Sequence, residues 1–354
     1  MPEEFPIEVE LGKTIRTIFY SQFFRPPAYP TQSFANQTVV VTGSNVGLGL
    51  EAARHFYRLN CAKLILAVRT VSKGEKAKED IVESVKHRSD ANAIEVWPLD
   101  LNSTTSTLAF ADRVKKELPR LDVLVENAGI GAQKWTLVEG FEQSIQVNVI
   151  NTLLLGMLLL PILNTTKHQQ AHASPHLVIV SSDGLRFTKF KQINEPDIYQ
   201  ALNTEKGFNS FEWYCISKLL EVLFVRELVK RLSQHKSSIV PVVINLVNPG
   251  MSHSSFAREA SLPARIIDSI MRWMLARSTE VGSRTLVLGA SAGPESHGEF
   301  MSDGENQKVA EWVEQDVGQR AQRKVFEQTM KVLEMRSPGI GRAIDRIGQV
   351  EQQI

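Results

Sequence analysis

The sequence predicts an α/β protein built on a single doubly wound parallel sheet of about seven strands, with helices on both faces. Two observations lead to this prediction. Short runs of almost continuous apolar residues recur along the chain, and longer helical segments separate them. Continuous apolar runs are typical of parallel strands buried on both faces, and strand–helix alternation joins such strands by right-handed crossovers.

The predicted elements follow one another in regular alternation. Seven segments are predicted strands, the last of them weak: 38–41, 64–68, 94–98, 123–126, 177–180, 240–246 and 299–302. The predicted helices are 48–59, 74–88, 105–117, 138–163 and 211–231, with a charged C-terminal helix at 309–334. We expect residues 36–304 to form one domain, preceded by an N-terminal arm at 1–35 and followed by a helical extension at 305–354.

The arm contains a predicted short helix at 15–20, which Pro26, Pro27 and Pro30 prevent from continuing. Its aromatic residues are expected to dock on the main body, with membrane association through them as the alternative. They are Phe19, Tyr20, Phe23 and Phe24.

Composition and charge narrow the function. The chain has 354 residues, is 43% hydrophobic and carries a formal net charge of +1, which does not favour a nucleic-acid or membrane footprint. Two cysteines cannot form a disulfide framework and favour a reducing, cytoplasmic compartment. No signal peptide or metal-ligand spacing is predicted, and the apolar run at 153–163 is expected to be a buried helix too short to span a bilayer.

A glycine-rich loop directly follows the first predicted strand. It reads Thr42-Gly43-Ser44-Asn45-Val46-Gly47-Leu48-Gly49, and a helix follows. Gly43 permits the tight turn, Gly47 allows the backbone to approach a pyrophosphate, and Gly49 allows close packing of helix on strand. Because a helix N-terminus offers free N–H groups, this loop predicts a dinucleotide site of the Rossmann type.

The spacing of these glycines and several later motifs resemble the short-chain dehydrogenases/reductases over roughly residues 38–301. The matching motifs occur in the order found in that family: the glycine loop, Leu99-Asp100-Leu101, Asn127-Ala128-Gly129, Val147-Asn148-Val149, Ser181-Ser182, Tyr214-x-x-x-Lys218 and Asn248-Pro249-Gly250. The lengthened segment before Tyr214 and the stretch at 295–302 are similar to retinol-dehydrogenase-like and fungal biosynthetic members.

The resemblance implies the roles of individual residues. Tyr214 would exchange the proton, Lys218 would assist it and hold the nicotinamide ribose, Ser182 would bind the substrate oxygen, and Asn148 would organise a proton relay. Cofactor contacts are implied for Gly43, Ser44, Asn45, Gly47, Leu48, Gly49, Asp100, Asn127, Tyr214, Lys218, Pro249 and Ser254.

Residues four apart on a helix share one face, so Lys218 is expected to lie beside Tyr214. A cation at that spacing favours the phenolate. We therefore expect the pKa of Tyr214 to fall from about 10 toward about 7–8.

The end of the second predicted strand indicates NADP(H) as the cofactor. An acidic residue there would favour NAD, but the strand ends with Arg69, whose planar guanidinium suits a 2′-phosphate. One such contact is worth about 10- to 100-fold in affinity. The glycine loop lacks the second basic residue that the resemblance leads us to expect, so NAD stays the alternative.

The segment at 183–210 reads as an insertion, either facing the substrate or peripheral. Apolar residues within 251–280 are expected to cover a lipophilic substrate. The predicted function is thus an NADP-dependent oxidoreductase acting on a carbonyl or alcohol of a lipophilic small molecule, in secondary metabolism.

The alternatives are a non-redox enzyme of the same family, such as a dehydratase or epimerase, and a non-catalytic cofactor-binding scaffold. A homodimer through the helices at 138–163 and 211–231 is possible unless the C-terminal helix blocks it.

Overall fold

The computed structural model describes residues 4–169, 174–233, 242–251 and 276–342. Within these residues, eight strands form one sheet. They are β1 (Thr38–Thr42), β2 (Lys63–Val68), β3 (Ile94–Pro98), β4 (Val123–Glu126), β7 (His176–Val180), β8 (Val243–Asn248), β9 (Phe300–Ser302) and β10 (Glu305–Gln307), with β5 and β6 forming a separate hairpin. Their spatial order is β10-β9-β8-β7-β4-β1-β2-β3, and all pairs except β9–β10 are parallel.

The predicted sheet is confirmed, with one strand more than expected. Strand β10 is short and polar and pairs antiparallel at the edge of the sheet, so it lacks the apolar signature of a buried strand. Strand β1 is buried at every position, as are β4, β7 and β8, because helices cover both faces. The core accordingly consists of two hydrophobic clusters.

The long helices are α1 (Leu11–Phe24), α2 (Gly47–Arg58), α3 (Val71–Ser84), α4 (Thr104–Glu117), α5 (Thr152–Gln169), α7 (Ser210–Ser233), α8 (Thr279–Gly289) and α10 (Asp316–Arg336). Two shorter helices are α6 (Ile198–Leu202) and α9 (Glu311–Glu314). The predicted C-terminal helix is therefore interrupted, since Gln315 has extended backbone with ψ 174° between α9 and α10.

The expected helix at 138–163 begins later than predicted. A hairpin of β5 (Leu137–Val138) and β6 (Phe141–Glu142) comes first, and its two turn residues, Glu139 and Gly140, both have positive φ, at 49° and 89°. Two consecutive positive φ angles are the geometry of a tight hairpin turn, which glycine favours. Glu142 then accepts hydrogen bonds from the N–H groups of Ser144 and Ile145 at the start of the following helical segment.

The most apolar helical stretch lies inside the protein. Ile145–Thr166 combines a π-helical segment, Ile145–Asn151, with the first part of α5. By length and composition this stretch could cross a membrane, contrary to our expectation that its apolar run is too short. However, 83% of the most apolar 18 residues of this stretch is buried inside the protein. Burial among the packed helices therefore accounts for its composition.

The N-terminal arm packs with the opposite face from the one expected. Phe19, Tyr20, Phe23 and Phe24 of α1 are all exposed, Phe24 by 65%. The buried side chains of this helix are Thr14 and Ser21. The prediction that these aromatics dock on the main body is wrong, because helix α1 docks through polar groups that bind partners in the body. The apolar side chains of the arm that are buried in the core include Phe5 and Ile7, which precede this helix.

The two ends of the insertion at 183–210 contact different helices. Its first turn, Asp183–Phe187, packs against α7. Its later part contacts the C-terminal helix, where the Tyr199 hydroxyl lies 2.6 Å from Thr329 Oγ1 and Lys324 Nζ donates to the carbonyl of Ile193. Helix α10 also packs along α7, with Phe224 and Phe326 stacked at 5.0 Å between ring centroids. The C-terminal helix therefore covers part of the surface of α7.

Candidate active site

The glycine loop forms a tight turn between β1 and α2. Gly43 and Gly47 both have φ +65°, a conformation that side chains other than glycine rarely adopt. A Cβ at Gly47 would meet no atom within 4 Å, so the backbone there faces open space. Ser44 is fully buried and its Oγ has no hydrogen-bond partner within the described residues. Helix α2 begins beside it with no side chain capping its first turn.

Asn127 joins this loop to the end of β4. Its Nδ2 donates to the carbonyl of Thr42 at 2.9 Å, and its own N–H donates to Thr42 Oγ1 at 3.0 Å. A Cβ at Gly49 would lie only 2.4 Å from Asn127 Nδ2 and 2.6 Å from the carbonyl oxygen of Gly43. Any side chain at Gly49 would therefore break the contact between the loop and β4.

Four residues expected at the reaction centre come from three parts of the fold and meet near the ends of β4 and β7. Ser182 follows β7, Tyr214 and Lys218 lie on α7, and Asn148 lies in the π-helical segment. The side chains of Tyr214 and Ser182 share a hydrogen bond. A Cβ on Gly129 would lie 3.3 Å from Asn148 Oδ1 and 3.6 Å from Lys218 Nζ. Gly129 therefore leaves the space in which Asn148 and Lys218 approach each other.

The side chain of Asn148 is fully buried and bound on both sides. Its Oδ1 accepts from the N–H of Ile130 at 2.9 Å, and its Nδ2 donates to the carbonyl of Ile130 and to Ser217 Oγ. Ser217 in turn donates to the carbonyl of Tyr214 at 2.7 Å. Asn148 is thereby connected to the helix that carries Tyr214.

Gly184, which the sequence did not single out, lies against Tyr214. A Cβ there would lie 3.2 Å from Tyr214 Cε1 and 3.3 Å from Ser182 Oγ. The turn after β7 therefore comes into direct contact with the phenol ring because residue 184 has no side chain. The signal available in the sequence was a glycine two residues after the serine pair.

The electrostatics of Tyr214 differ from our expectation. Burial raises the pKa of Tyr214 above its usual value of 10, and the Lys218 cation opposes this rise only in part. The negative charge of Glu221 adds to the rise. The prediction of a pKa near 7–8 is wrong for the chain by itself, because it counted Lys218 and neglected burial and Glu221.

Lys218 has partners that the sequence analysis missed. Its Nζ donates to Glu221 Oε1 at 2.7 Å and to the carbonyl of Val180 at 2.8 Å. Glu221 is one turn further along α7, and Glu126 at the end of β4 is a second buried carboxyl group nearby. A glutamate three residues after a lysine on a helix was the available signal, but it usually indicates a surface ion pair.

The N-terminal arm and the body together fix the turn after β8. Gln22 Nε2 donates to the carbonyl of Met251, and the N–H of Met251 donates to Gln22 Oε1. Arg277 forms a buried ion pair with Asp303 at 2.8 Å and also donates to the carbonyl of Arg25. A Cβ at Gly250 would lie 3.0 Å from Gln22 Oε1 and 3.1 Å from Arg277 Nη1. Both side chains therefore pack closely against this turn.

The other expected contacts are distributed around this centre. Pro249 is buried behind Gly250, Asn45 and Leu48 are partly exposed in the glycine loop, and Arg69 is exposed just beyond β2. Asp100 follows β3, where its Oδ1 accepts from the N–H of Asn102 at 3.0 Å. Ser254 and most of the expected substrate cover at 251–280 lie outside the described residues.

Comparison with known proteins agrees with this geometry. Residues 37–188 match the short chain dehydrogenase family. The chain is 43% identical over 325 residues to the short chain dehydrogenase/reductase dmxR8 of Cryptosporiopsis sp., spanning 91% of this chain and 98% of that protein. It is 44% identical over 287 residues to the short chain dehydrogenase atnD of Emericella nidulans, spanning 80% and 89%. The chain belongs to the short-chain dehydrogenase/reductase family.

Solved structures show the same fold. An uncharacterised protein from Mycobacterium paratuberculosis matches with a TM-score of 0.61 at 27% identity, over 85% of this chain and 96% of that one. A short chain dehydrogenase from Shigella flexneri 2a, complexed with NADP, matches with a TM-score of 0.53 at 20% identity, over 77% and 100%. As a short-chain dehydrogenase/reductase, the chain is an oxidoreductase of a nicotinamide-dependent family, and its similarity to fungal members is confirmed.

Proposed function

We propose that this short-chain dehydrogenase/reductase uses NADP(H) to interconvert a carbonyl and an alcohol on a lipophilic small molecule. Residues 36–304 would form the catalytic domain. The observation that carries the proposal is the meeting of Ser182, Tyr214, Lys218 and Asn148 beside the glycine loop. A binding scaffold would not require four polar groups to meet at one place.

Tyr214 is the proposed proton donor in reduction and the base in oxidation. Its hydrogen bond to Ser182 places two hydroxyl groups together, and one substrate oxygen can accept from both as negative charge develops on it. Because burial raises its pKa, Tyr214 by itself is protonated at neutral pH, which suits the reductive direction. A positive charge beside the phenol would be needed to make it a base in the oxidative direction.

The residues of the loop fit a dinucleotide. Within the described residues, the buried Ser44 hydroxyl has no partner, no atom lies close to the open side of Gly47, and no side chain caps the first turn of α2. These groups would bind the phosphates, with Asn45, Leu48 and Asp100 contributing nearby contacts. When bound, the nicotinamide supplies the hydride donor or acceptor. Lys218 has committed two hydrogen bonds to Glu221 and Val180, so its third hydrogen is left for the ribose.

Preference for NADP(H) over NAD(H) is proposed on the basis of Arg69. The side chain is exposed just beyond β2 and forms no ion pair with any described residue, so its guanidinium is available to a 2′-phosphate. The Shigella flexneri protein shows that this fold accommodates NADP. The acidic residue that would favour NAD is absent from this position.

The substrate is proposed to be lipophilic because the expected cover at 251–280 is rich in apolar residues. The similarity to fungal biosynthetic members supports a role in secondary metabolism. Cys61 and Cys215 are both buried and unbridged, which supports the proposed cytoplasmic location.

The reaction class is tested by following a labelled hydride. The purified protein is incubated with NADPH deuterated at the reactive carbon and with lipophilic ketones such as decalone and tetralone. We expect an alcohol product that is one mass unit heavier, with one equivalent of NADPH oxidised. A product formed without label and without net cofactor oxidation would establish the non-redox alternative. Tyr214→Phe is the matched control and should form labelled product at least about 100-fold more slowly.

A further inference from the structure

Two buried glutamates, Glu126 and Glu221, lie near Lys218, and the proposed mechanism uses neither of them. Glu126 ends β4 and is 3% exposed, and Glu221 on α7 is 1% exposed. Lys218 itself is 6% exposed. Buried carboxyl groups are rare in proteins unless a partner or a function accounts for them.

The hydrogen bonds of the three side chains are unequal. Lys218 Nζ lies 2.7 Å from Glu221 Oε1, which makes Glu221 the counter-ion of Lys218. The second oxygen of Glu221 and both oxygens of Glu126 form no hydrogen bond of ordinary geometry within the described part of the chain. The Ser181 hydroxyl near Glu221 and the N–H of Gly156 near Glu126 oppose the rise in the two pKa values only in part. An ionised carboxylate without hydrogen bonds in a dry site is strongly unfavourable, whereas a protonated one is not.

The charges of the three side chains also indicate that one of the two glutamates is protonated. Two carboxylates and one ammonium would leave a net negative charge buried, and the two like charges would repel each other. The other titratable groups of α7 in this region are Tyr214 and Cys215. The described strands β7 and β8 and the segment Ile145–Thr166 place no titratable side chain against the cluster, because any that they carry lies at the end remote from it. Among the residues that the structure describes, no second cation therefore compensates the two glutamates.

The two glutamates differ in their titration. Burial and the charge of Glu221 raise the pKa of Glu126 well above its usual value. Burial also raises the pKa of Glu221, to about 7, and the Lys218 cation opposes this rise. Deprotonation of Glu221 above about pH 7 consequently leaves one ion pair between Glu221 and Lys218, and burial and the neighbouring negative charge favour the proton on Glu126.

We propose that Glu221 is a positioning residue that holds the Lys218 ammonium, and that Glu126 stays protonated beside it so that Lys218 faces a single negative charge. This inference rests on the proposed function, since the charge of Lys218 matters to catalysis only if Tyr214 exchanges the proton. Glu221 fixes the direction of the ammonium and offsets its effect on the phenol. The cluster thereby holds Tyr214 in its protonated form.

Isosteric substitutions separate the two roles. Glu221→Gln removes the negative charge and leaves Lys218 as an uncompensated cation, so the pKa of Tyr214 should fall. Glu126→Gln replaces a neutral acid by a neutral amide and should leave the pKa of Tyr214 unchanged. A purely structural role for the two residues would not produce this difference.

The location of the proton is measured first, by infrared difference spectroscopy at about pH 8 on the protein without cofactor or substrate. We expect the carbonyl stretch of a protonated carboxyl group in the wild type. It should be lost in Glu126→Gln and kept in Glu221→Gln. Absence of a wild-type band that depends on either residue, or its loss in Glu221→Gln alone, would overturn the assignment. Circular dichroism establishes that both variants are folded.

The effect on Tyr214 is measured second, as the pH dependence of kcat/KM for alcohol oxidation. We expect the limb governed by Tyr214 to shift down by about one pH unit in Glu221→Gln and to stay in place in Glu126→Gln. Glu221→Asp, which restores the charge on a shorter side chain, should return the limb toward its wild-type position. Equal shifts in both glutamine variants, or no shift in either, would refute the positioning role.

The two measurements distinguish a failure of the proposed function from a failure of the inference about the two glutamates. A chain without turnover would refute the proposed function, while the infrared result would still decide where the proton lies.

Discussion

Helices α7 and α1 approach the same site from different parts of the chain, and both turn polar side chains inward. On α7 the surrounding residues are buried almost continuously, so Lys218 and Glu221 lie in an apolar environment. On α1 the apolar residues face outward, and Ser21 and Gln22 reach into the body. The polar groups of α7 would perform chemistry, whereas those of α1 fix the backbone of the turn at Gly250 and Met251.

This difference shows that the polarity of a side chain does not by itself predict which way it faces. A buried polar group is stable when partners satisfy it, as Asp303 satisfies both Ser21 and Arg277. The contrast between a chemical and a structural use of buried polar groups can be tested by substitutions on each side.

The largest effect is expected from Tyr214→Phe. Removing the phenol oxygen eliminates the proposed proton transfer, so kcat should fall by about 10²–10⁴-fold. The affinity for NADPH should change little, because the ring and Lys218 are kept. Steady-state kinetics and a binding titration on the same preparation measure both quantities. Turnover close to that of the wild type would mean that another group transfers the proton.

The counterpart on the structural side is Arg277→Met. It removes one partner of a buried ion pair and leaves Asp303 uncompensated, which should lower the free energy of unfolding by about 3–5 kcal/mol. Urea denaturation measures this change. The double variant Arg277→Met with Asp303→Leu should recover part of the loss. If the single variant is as stable as the wild type, the arm is not anchored by this pair.

The raised pKa of Glu221 on α7 predicts that the stability of the protein depends on pH. Glu221 has a pKa of about 7 in the folded chain against 4.5 as its usual value, so the folded state binds more protons than the unfolded state between these values. Stability is therefore lost as the pH rises through this window, by about 3 kcal/mol from this residue. Denaturation of wild type and Glu221→Gln at about pH 5 and pH 8 isolates the contribution. A difference between the two proteins that does not vary with pH would contradict it.

Replacing Arg69, an exposed cation, should weaken cofactor binding without changing the stability of the protein. Arg69→Ala is expected to raise the Kd for NADPH by about 10- to 100-fold and to leave the Kd for NADH unchanged. The melting temperature should stay within error of the wild type, in contrast to Arg277→Met. Lys116→Ala, which changes an exposed lysine on α4, serves as the control for general charge effects. An equal loss for both cofactors would show that Arg69 does not contact the 2′-phosphate.

The smallest effect is expected on the outward face of α1. Phe24 is 65% exposed, so Phe24→Ser should change the free energy of unfolding by no more than about 0.5 kcal/mol. Gln22→Leu on the same helix should cost about 1–3 kcal/mol, because it leaves the backbone groups of Met251 without their partners. A larger cost for Phe24→Ser would mean that the aromatic face packs on something in solution.

The sequence predicted the sheet well because its strands are continuous apolar runs. Strands β1 to β4 lie within about one residue of their predicted bounds, and the motifs after β1, β4, β7 and β8 fall at the ends of these strands. The hairpin at Leu137–Glu142 was missed because the apolar spacing there also fits a helix. The turn at Glu139-Gly140 was the only contrary signal. Strand β10 was missed because it is a polar edge strand.

The site was less predictable where it depends on contacts between distant residues. Ser182, Tyr214 and Lys218 were proposed from the resemblance of their motifs, in order along the chain, to those of the short-chain dehydrogenases/reductases. The pairing of Arg277 with Asp303, and of Gln22 with Met251, joins positions that no periodicity relates. The pKa of Tyr214 was predicted in the wrong direction, because burial depends on the complete fold and the partner Glu221 already occupies Lys218. Local patterns therefore identify the candidate reacting groups, and tertiary packing determines their electrostatics.

The central claim, that the loop from Thr42 to Gly49 is a working NADP(H) site, is tested most directly by titrating the purified protein with NADPH and with NADH. Quenching of tryptophan fluorescence reports binding and requires no knowledge of the substrate. We expect NADPH to bind at least about tenfold more tightly than NADH. Tighter binding of NADH would contradict the role of Arg69, and binding of neither cofactor would contradict the proposed function.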